Sequence, residues 1–205
     1  MRDENTDSSQ GRIIEPLNPK AQAWYDEVFR PAYLKLQEQI ENIRLMVLIW
    51  GPSSKGGDLY NKRVQILNRL RELGHAAFFS EEIDSENPLQ DIPLHIREAH
   101  QAQLSDLIVL LHAPYGSAGE LHDFVHIPAI RSKLLVFVDE KRVTGYSYQG
   151  ALTILQKEYN SVVTYKSPED ITECRLLGAV VEKIQLHRHT KYWQGLYSSQ
   201  GEQKR

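Results

Sequence analysis

The sequence predicts an α/β protein: a five-stranded parallel sheet in the order 2-1-3-4-5, helices on both faces, and an extra N-terminal helical segment. Three observations predict it. Short apolar runs alternate with longer stretches of helical periodicity, as in strands joined by crossover helices. Leu107 to Leu111 is apolar at every position, as a strand covered on both faces requires. Loops of small residues follow the first and third apolar runs, at the carboxyl ends of strands where such sheets bind ligands.

The elements follow in order. Residues 1–19 are polar and acidic, with Pro16 and Pro19 near the end, and read as a flexible arm. Residues 20–44 form a helical extension. Trp24, Val28, Tyr33, Leu34, Leu36, Ile40 and Ile43 make its apolar stripe, and Pro31 marks a break or kink. The α/β domain spans 45–193. Its strands are Leu45–Trp50, His75–Phe79, Asp106–Leu111, Leu134–Val138 and Val162–Tyr165. The first crossover helix runs from Tyr60 to Leu73, with Val64, Leu67, Leu70 and Leu73 on one face and Gly74 as its stop. Helices follow at Ile92–Gln103, from Glu120 to near Pro128, at Gln149–Lys157 and at Glu169–His187, where Leu176, Val180 and Ile184 recur every four residues. Residues 194–205 read as a flexible tail. Connections must be right-handed crossovers, and five strands of this kind most often take the flavodoxin-like order, whose switch point lies between the first and third strands. The loops Ser53–Asp58 and Pro114–Gly119 therefore face one crevice.

Composition narrows the classes. Hydrophobic content of 41% with 25% charged residues supports a packed core. A formal charge of −3 argues against a sequence-independent nucleic-acid binder, and no sequence-specific nucleic acid is expected. One cysteine, Cys174, no signal-peptide pattern and no apolar run of the ~20 residues that span a bilayer point to a cytoplasmic protein without a membrane partner.

The two loops carry the chemistry. Ser53-Ser54-Lys55-Gly56-Gly57 offers hydroxyls, backbone N–H groups and a cation, which suits a phosphate. It is neither a P-loop nor a dinucleotide fingerprint, and an ordinary strand-to-helix turn also explains it. In the second loop, Tyr115 and Ser117 precede Glu120, a carboxylate in the first turn of a helix. Favourable placement in the helix dipole accounts for such a carboxylate by itself. It does not account for so bare a loop before it.

These segments resemble the nucleoside 2-deoxyribosyltransferase family, most closely its 2'-deoxynucleoside 5'-phosphate N-hydrolase branch, within a wider superfamily that includes NAD-cleaving Toll/interleukin-receptor domains. The likeness rests on Ser53–Gly57 with Tyr60 in the next helix, on Glu98 eight positions before Asp106, and on Ser117-Ala118-Gly119-Glu120-Leu121. It covers about the middle half of the chain. It implies that Glu120 attacks the anomeric carbon of a nucleotide, or stabilises charge there, while Glu98 orients the sugar or shares the acid–base work. Ser53, Lys55, Gly56, Gly57 and Ser117 would hold a phosphate, and Tyr60 and Tyr115 a base or hydroxyl. Lys55 stands where the family has Arg and so loses the bidentate fork. His122 stands where a Gly is usual, which would crowd the pocket or alter the substrate, and Glu98 replaces an Asp.

The implied function is an N-glycosidase acting on a nucleoside 5'-monophosphate or NAD. The alternatives are a deoxyribosyl transferase and a non-catalytic nucleotide-sensing or protein-interaction module. No cofactor is implied, and a homo-oligomer is expected; the N-terminal helix reads either as packing on the domain or as the oligomer or partner surface. His122 and His126 are spaced i, i+4, but the Glu of His-Glu-x-x-His and a third ligand are missing, so no metal is expected. Lys183, His187, Arg188, His189 and Lys191 read as complementing a helix C-terminus.

Overall fold

The computed structural model describes residues 18–85, 91–113, 117–143 and 146–202, and divides the chain into a unit ending at Gln39 and a unit beginning at Ile40. In the first unit, α1 (Pro19–Trp24) is capped by Asn18, whose side chain accepts from the Ala21 amide at 2.9 Å. A π-helical turn, Tyr25–Phe29, leads into α2 (Arg30–Glu41), and the Arg30 amide reaches back to the Tyr25 carbonyl. Pro31 is the second residue of α2, directly after the π-helical turn that interrupts the α-helix. The wider turn before it absorbs the misfit that a missing amide introduces. Trp24, Tyr25, Phe29 and Tyr33 form a run of ring contacts at 5.6–6.0 Å and all are exposed.

The second unit holds the sheet. Strands β1 (Met46–Trp50), β2 (Ala76–Phe79), β3 (Leu107–Leu111), β4 (Leu134–Asp139) and β5 (Val162–Tyr165) are all parallel and lie in the order β2-β1-β3-β4-β5. Every residue of β3 is buried, as its unbroken apolar run requires.

One face carries α3 (Asp58–Glu72), α9 (Glu169–Thr172) and α10 (Arg175–Glu202), packed on Val47, Ile49, Val109, Leu135 and Phe137. The other carries α5 (Leu94–Leu104), α6 (Ser117–Phe124), α7 (Pro128–Arg131) and α8 (Tyr146–Tyr159), packed on Leu48, Trp50, Ile108, Leu110 and Val136. A short α4 (Ser80–Ser85) directly follows β2, where the sequence reads as loop.

Three helices differ from expectation. The buried stripe of α3 is Arg63, Ile66, Leu67 and Leu70, with Lys62 buried beside it; Val64 of the expected stripe packs partly buried against the same core, and Leu73 lies past the helix end. This i, i+3, i+4, i+7 set brings a cation into the core. The last helix is split at Glu173–Cys174, which leaves Cys174 exposed between helices instead of inside one. Finally, α10 runs on to Glu202, through the segment read as a tail. Its basic residues are therefore mid-helix and brace other elements instead of capping it. Lys183 donates to Ser161 Oγ at 3.2 Å, Arg188 to the Ile43 carbonyl at 3.2 Å, and Lys191 to Asp106 at 2.8 Å. Among the described residues no helix is long and apolar enough to cross a membrane.

Candidate functional site

The loop after β1 is shaped by its glycines. A 3-10 turn, Ser54–Gly56, closes with the Gly56 amide donating to the Ser53 carbonyl at 2.7 Å. A Cβ at Gly56 would run into the Pro52 ring, so the chain can fold back only without one. Gly57 has φ +59°, ψ −133°, a conformation that L side chains rarely adopt. It stands at the N-cap of α3, where no side chain caps the first-turn amides.

This loop forms one wall of a cavity of about 460 Å³ at the carboxyl ends of the strands. Pro52, Ser53, Lys55, Gly56, Asp58 and Leu59 come from the β1–α3 connection, and His112 and Ala113 follow β3. Asp139 and Arg142 come from the end of β4, Tyr165 and Ser167 from the end of β5, and Ile171 from α9. Among the described residues, two cations, Lys55 and Arg142, and two carboxylates, Asp58 and Asp139, thus share the lining. Asp139 accepts from the Lys141 amide at 3.0 Å, which fixes the turn that presents Arg142. Burial and the nearby Asp139 push the Tyr165 hydroxyl up to about 12, with Arg142 opposing, so it remains a proton-bearing donor.

His112 is buried directly beyond β3, with its amide donating to the Phe137 carbonyl at 3.0 Å. Burial lowers its pKa to about 4, and the charges of Arg142 and His122 add to the effect. The imidazole is therefore neutral at pH 7. Between about 6.5 and about 4 the unfolded chain binds a proton that the folded chain refuses, so this group destabilises the fold as pH falls. The loss should reach about 3 kcal/mol near pH 4. Urea unfolding from pH 7 to 4.5 should show a steeper loss for the wild type than for His112→Gln. Coincident slopes would mean that the imidazole is not held neutral.

The expected site residues fall in three groups. Ser53, Lys55 and Gly56 line the cavity, and Gly57 and Tyr60 flank them on α3 and its cap. Half-buried His122 lies on α6, close enough for its charge to act on His112. The backbone places Ser117 and Glu120 in the first turn of α6, and the residues after Glu120 anchor that helix: Leu121, Phe124 and Val125 are buried, with Phe124 stacked on Trp50 at 5.0 Å. The side chains of Ser117 and Glu120, and Tyr115 as a whole, lie outside the described residues. Glu98 is half-buried on α5, over the same sheet face as α6, and is not among the residues that line the cavity. His126 lies past the end of α6, so it does not share a helical face with His122, and no group of three or more metal-ligating side chains occurs among the described residues.

Sequence reasoning passed over His112, Asp139, Arg142, Tyr165 and Ser167. The available signal was position: Asp139 and Tyr165 end their strands, and His112 directly follows one. It also passed over Arg63, whose signal was a charge on the apolar stripe of α3. This guanidinium, 2% exposed, bonds both Glu81 oxygens at 2.6 and 2.7 Å. It also donates to the Ile49 carbonyl at 2.8 Å and the Pro52 carbonyl at 3.3 Å, and lies 4.0 Å from the centroid of Phe79. Partial burial pushes the Glu81 carboxyl up, but Arg63 and a backbone hydrogen bond hold it below the usual range.

Known proteins place this cavity in context. In Escherichia coli, the protein described as "Retron Ec73 putative ribosyltransferase/DNA-binding protein" is 27% identical over 142 residues, which cover 63% of this chain and 45% of that one. The chain thus spans about half the length of the relative it matches. The family model described as STM3845 retron effector protein matches residues 60–201, from α3 through α10, so β1 and the Ser53–Gly57 loop precede the matched segment. With more than half of its length matched, the chain belongs to the STM3845 retron effector protein family.

Proposed function

We propose that the chain is a nucleotide-binding ribosyl-transfer domain that breaks the base–sugar bond of a nucleoside 5'-monophosphate or NAD. The cavity carries this reading. It joins the bare, amide-rich loop after β1 to donors and charges at the ends of β3, β4 and β5, at the switch point where such sheets bind nucleotides. Ser53, Lys55, Gly56 and the first-turn amides of α3 would hold the phosphate. Arg142, Ser167 and the Tyr165 hydroxyl would face the remainder of the ligand.

In the reaction, a Glu120 carboxylate oxygen bonds to the anomeric carbon while the C–N electron pair leaves with the base. The resulting glycosyl ester is then opened by a second base or by water. Transfer to an acceptor is preferred to hydrolysis because the Escherichia coli relative is described as a ribosyltransferase. The resemblance to nucleoside 2-deoxyribosyltransferases supports the same chemistry. That relative is also described as DNA-binding, but the formal charge of −3 here favours a small nucleotide as ligand.

A second reading is binding without turnover, as a sensing or interaction module. The position of Glu98 favours it, because this assigned partner carboxylate is not among the described residues that line the cavity.

The test is to incubate the protein with NAD, and separately with nucleoside 5'-monophosphates, with and without a labelled acceptor base. Released or exchanged base supports the enzyme. Saturable binding by calorimetry with no base release supports the sensing module.

The homo-oligomer belongs to the same proposal, with the exposed rings of Trp24, Tyr25, Phe29 and Tyr33 as its support. Light scattering should give a multiple of the 23.6 kDa chain mass, falling to the monomer in Trp24→Ala/Phe29→Ala. A monomeric wild type at high concentration removes the idea.

A further inference from the structure

We propose that Arg63, held by Glu81, is the positioning residue of the Ser53–Gly57 loop and sets its grip on the phosphate of the ligand. The assignment rests on the reading of that loop as the phosphate site.

Arg63 occupies a core position that an apolar side chain of similar volume would fill. Burying a guanidinium there carries a desolvation cost, which its acceptors must offset. Two of those acceptors are backbone carbonyls on either side of the point where β1 becomes the loop: Ile49, inside the strand, and Pro52, the residue before Ser53. One planar group thus spans the bend. At Gly51, between them, a Cβ would lie 3.2 Å from Leu111 and 3.4 Å from the Arg63 Cδ, so the chain passes tightly between β3 and this side chain. Pro52 is also the residue against which Gly56 folds back. Displacing Pro52 therefore displaces the 3-10 turn that presents Lys55.

Glu81 gives the arrangement its direction. It grips the guanidinium bidentately from the start of α4, while the Phe79 ring covers one face. Lysine cannot reproduce this, because a point charge does not reach two carbonyls and two carboxylate oxygens in one plane. The Glu81 side chain is 56% exposed, so neutralising it should loosen the grip without opening the core.

Glu81→Gln is accordingly the main variant, with Arg63→Lys beside it and Arg63→Met reserved for comparison because it leaves buried carbonyls unpaired. Steady-state kinetics on a nucleoside 5'-monophosphate and on the same nucleoside without phosphate separate positioning from general damage. The expected result for Glu81→Gln and Arg63→Lys is a KM for the monophosphate raised roughly tenfold or more, with kcat within about twofold. The kcat/KM for the bare nucleoside should change far less. Equal losses on both substrates, or no change in KM, would overturn the proposal.

Amide hydrogen exchange provides a readout that stands even if the wild type releases no base from any nucleotide. In Glu81→Gln, amides 53–57 should exchange roughly tenfold faster while those of β4 keep their protection. Unchanged loop protection, or loss spread evenly over the sheet, would overturn the assignment independently of any activity.

Discussion

Glu120→Gln is expected to lower base release by roughly 10²–10³-fold or more, with nucleotide binding retained. The substitution keeps the shape of the side chain, removes its charge and exchanges one accepting, nucleophilic oxygen for a donating NH2. A carboxylate that meets a developing oxocarbenium ion loses most of its effect in that exchange. A residue that merely complements the dipole of α6 loses only a few tenths of a kcal/mol of helix stability, roughly. Base release measured by chromatography, alongside nucleotide affinity by calorimetry, separates the two roles. Equal rates in the two proteins would remove Glu120 from the reaction.

Phe137→Ala is expected to cost about 3–5 kcal/mol of folding stability. Phe137 is fully buried at the centre of β4, paired with Leu111 on one side and Val163 on the other. A typical domain is stable by only ~5–15 kcal/mol, so the variant should sit near the edge of folding. The Phe137 carbonyl also receives the His112 amide, so the floor of the cavity should loosen with it. The measurement is the urea midpoint at unchanged m-value. A loss below about 1 kcal/mol would show that the ring fills no packed space.

The sheet was legible in the sequence because its signal is local. The buried run Leu107–Leu111 has no amphipathic alternative, and the order of its neighbours is the commonest one for five strands joined by right-handed crossovers. Ser53, Lys55 and Gly56 were legible as well, because a glycine pair after a strand implies special backbone geometry. Three kinds of feature were not. Arg142 and Ser167 reach the cavity from loops whose paths depend on tertiary packing, so no local spacing marks them. Arg63 is polar in composition but buried in place, and only its full set of acceptors explains why. The length of α10 was hidden by a polar sequence after Trp193 that composition alone cannot tell from a frayed end.

Among the described residues around the cavity, two cations stand against two carboxylates, and this has a kinetic consequence. An anionic ligand approaching a protein of formal charge −3 meets no attractive field at long range, and at the mouth the charges of the described lining residues offset one another. Capture is then governed by ordinary collision and orientation, at the ~10⁵–10⁷ M⁻¹s⁻¹ of unsteered encounters between proteins or somewhat faster for a small ligand. Discrimination is deferred until contact, when individual donors meet individual oxygens within a few ångströms. The capture rate of such a ligand should therefore vary little with ionic strength, because added salt has little net field to screen.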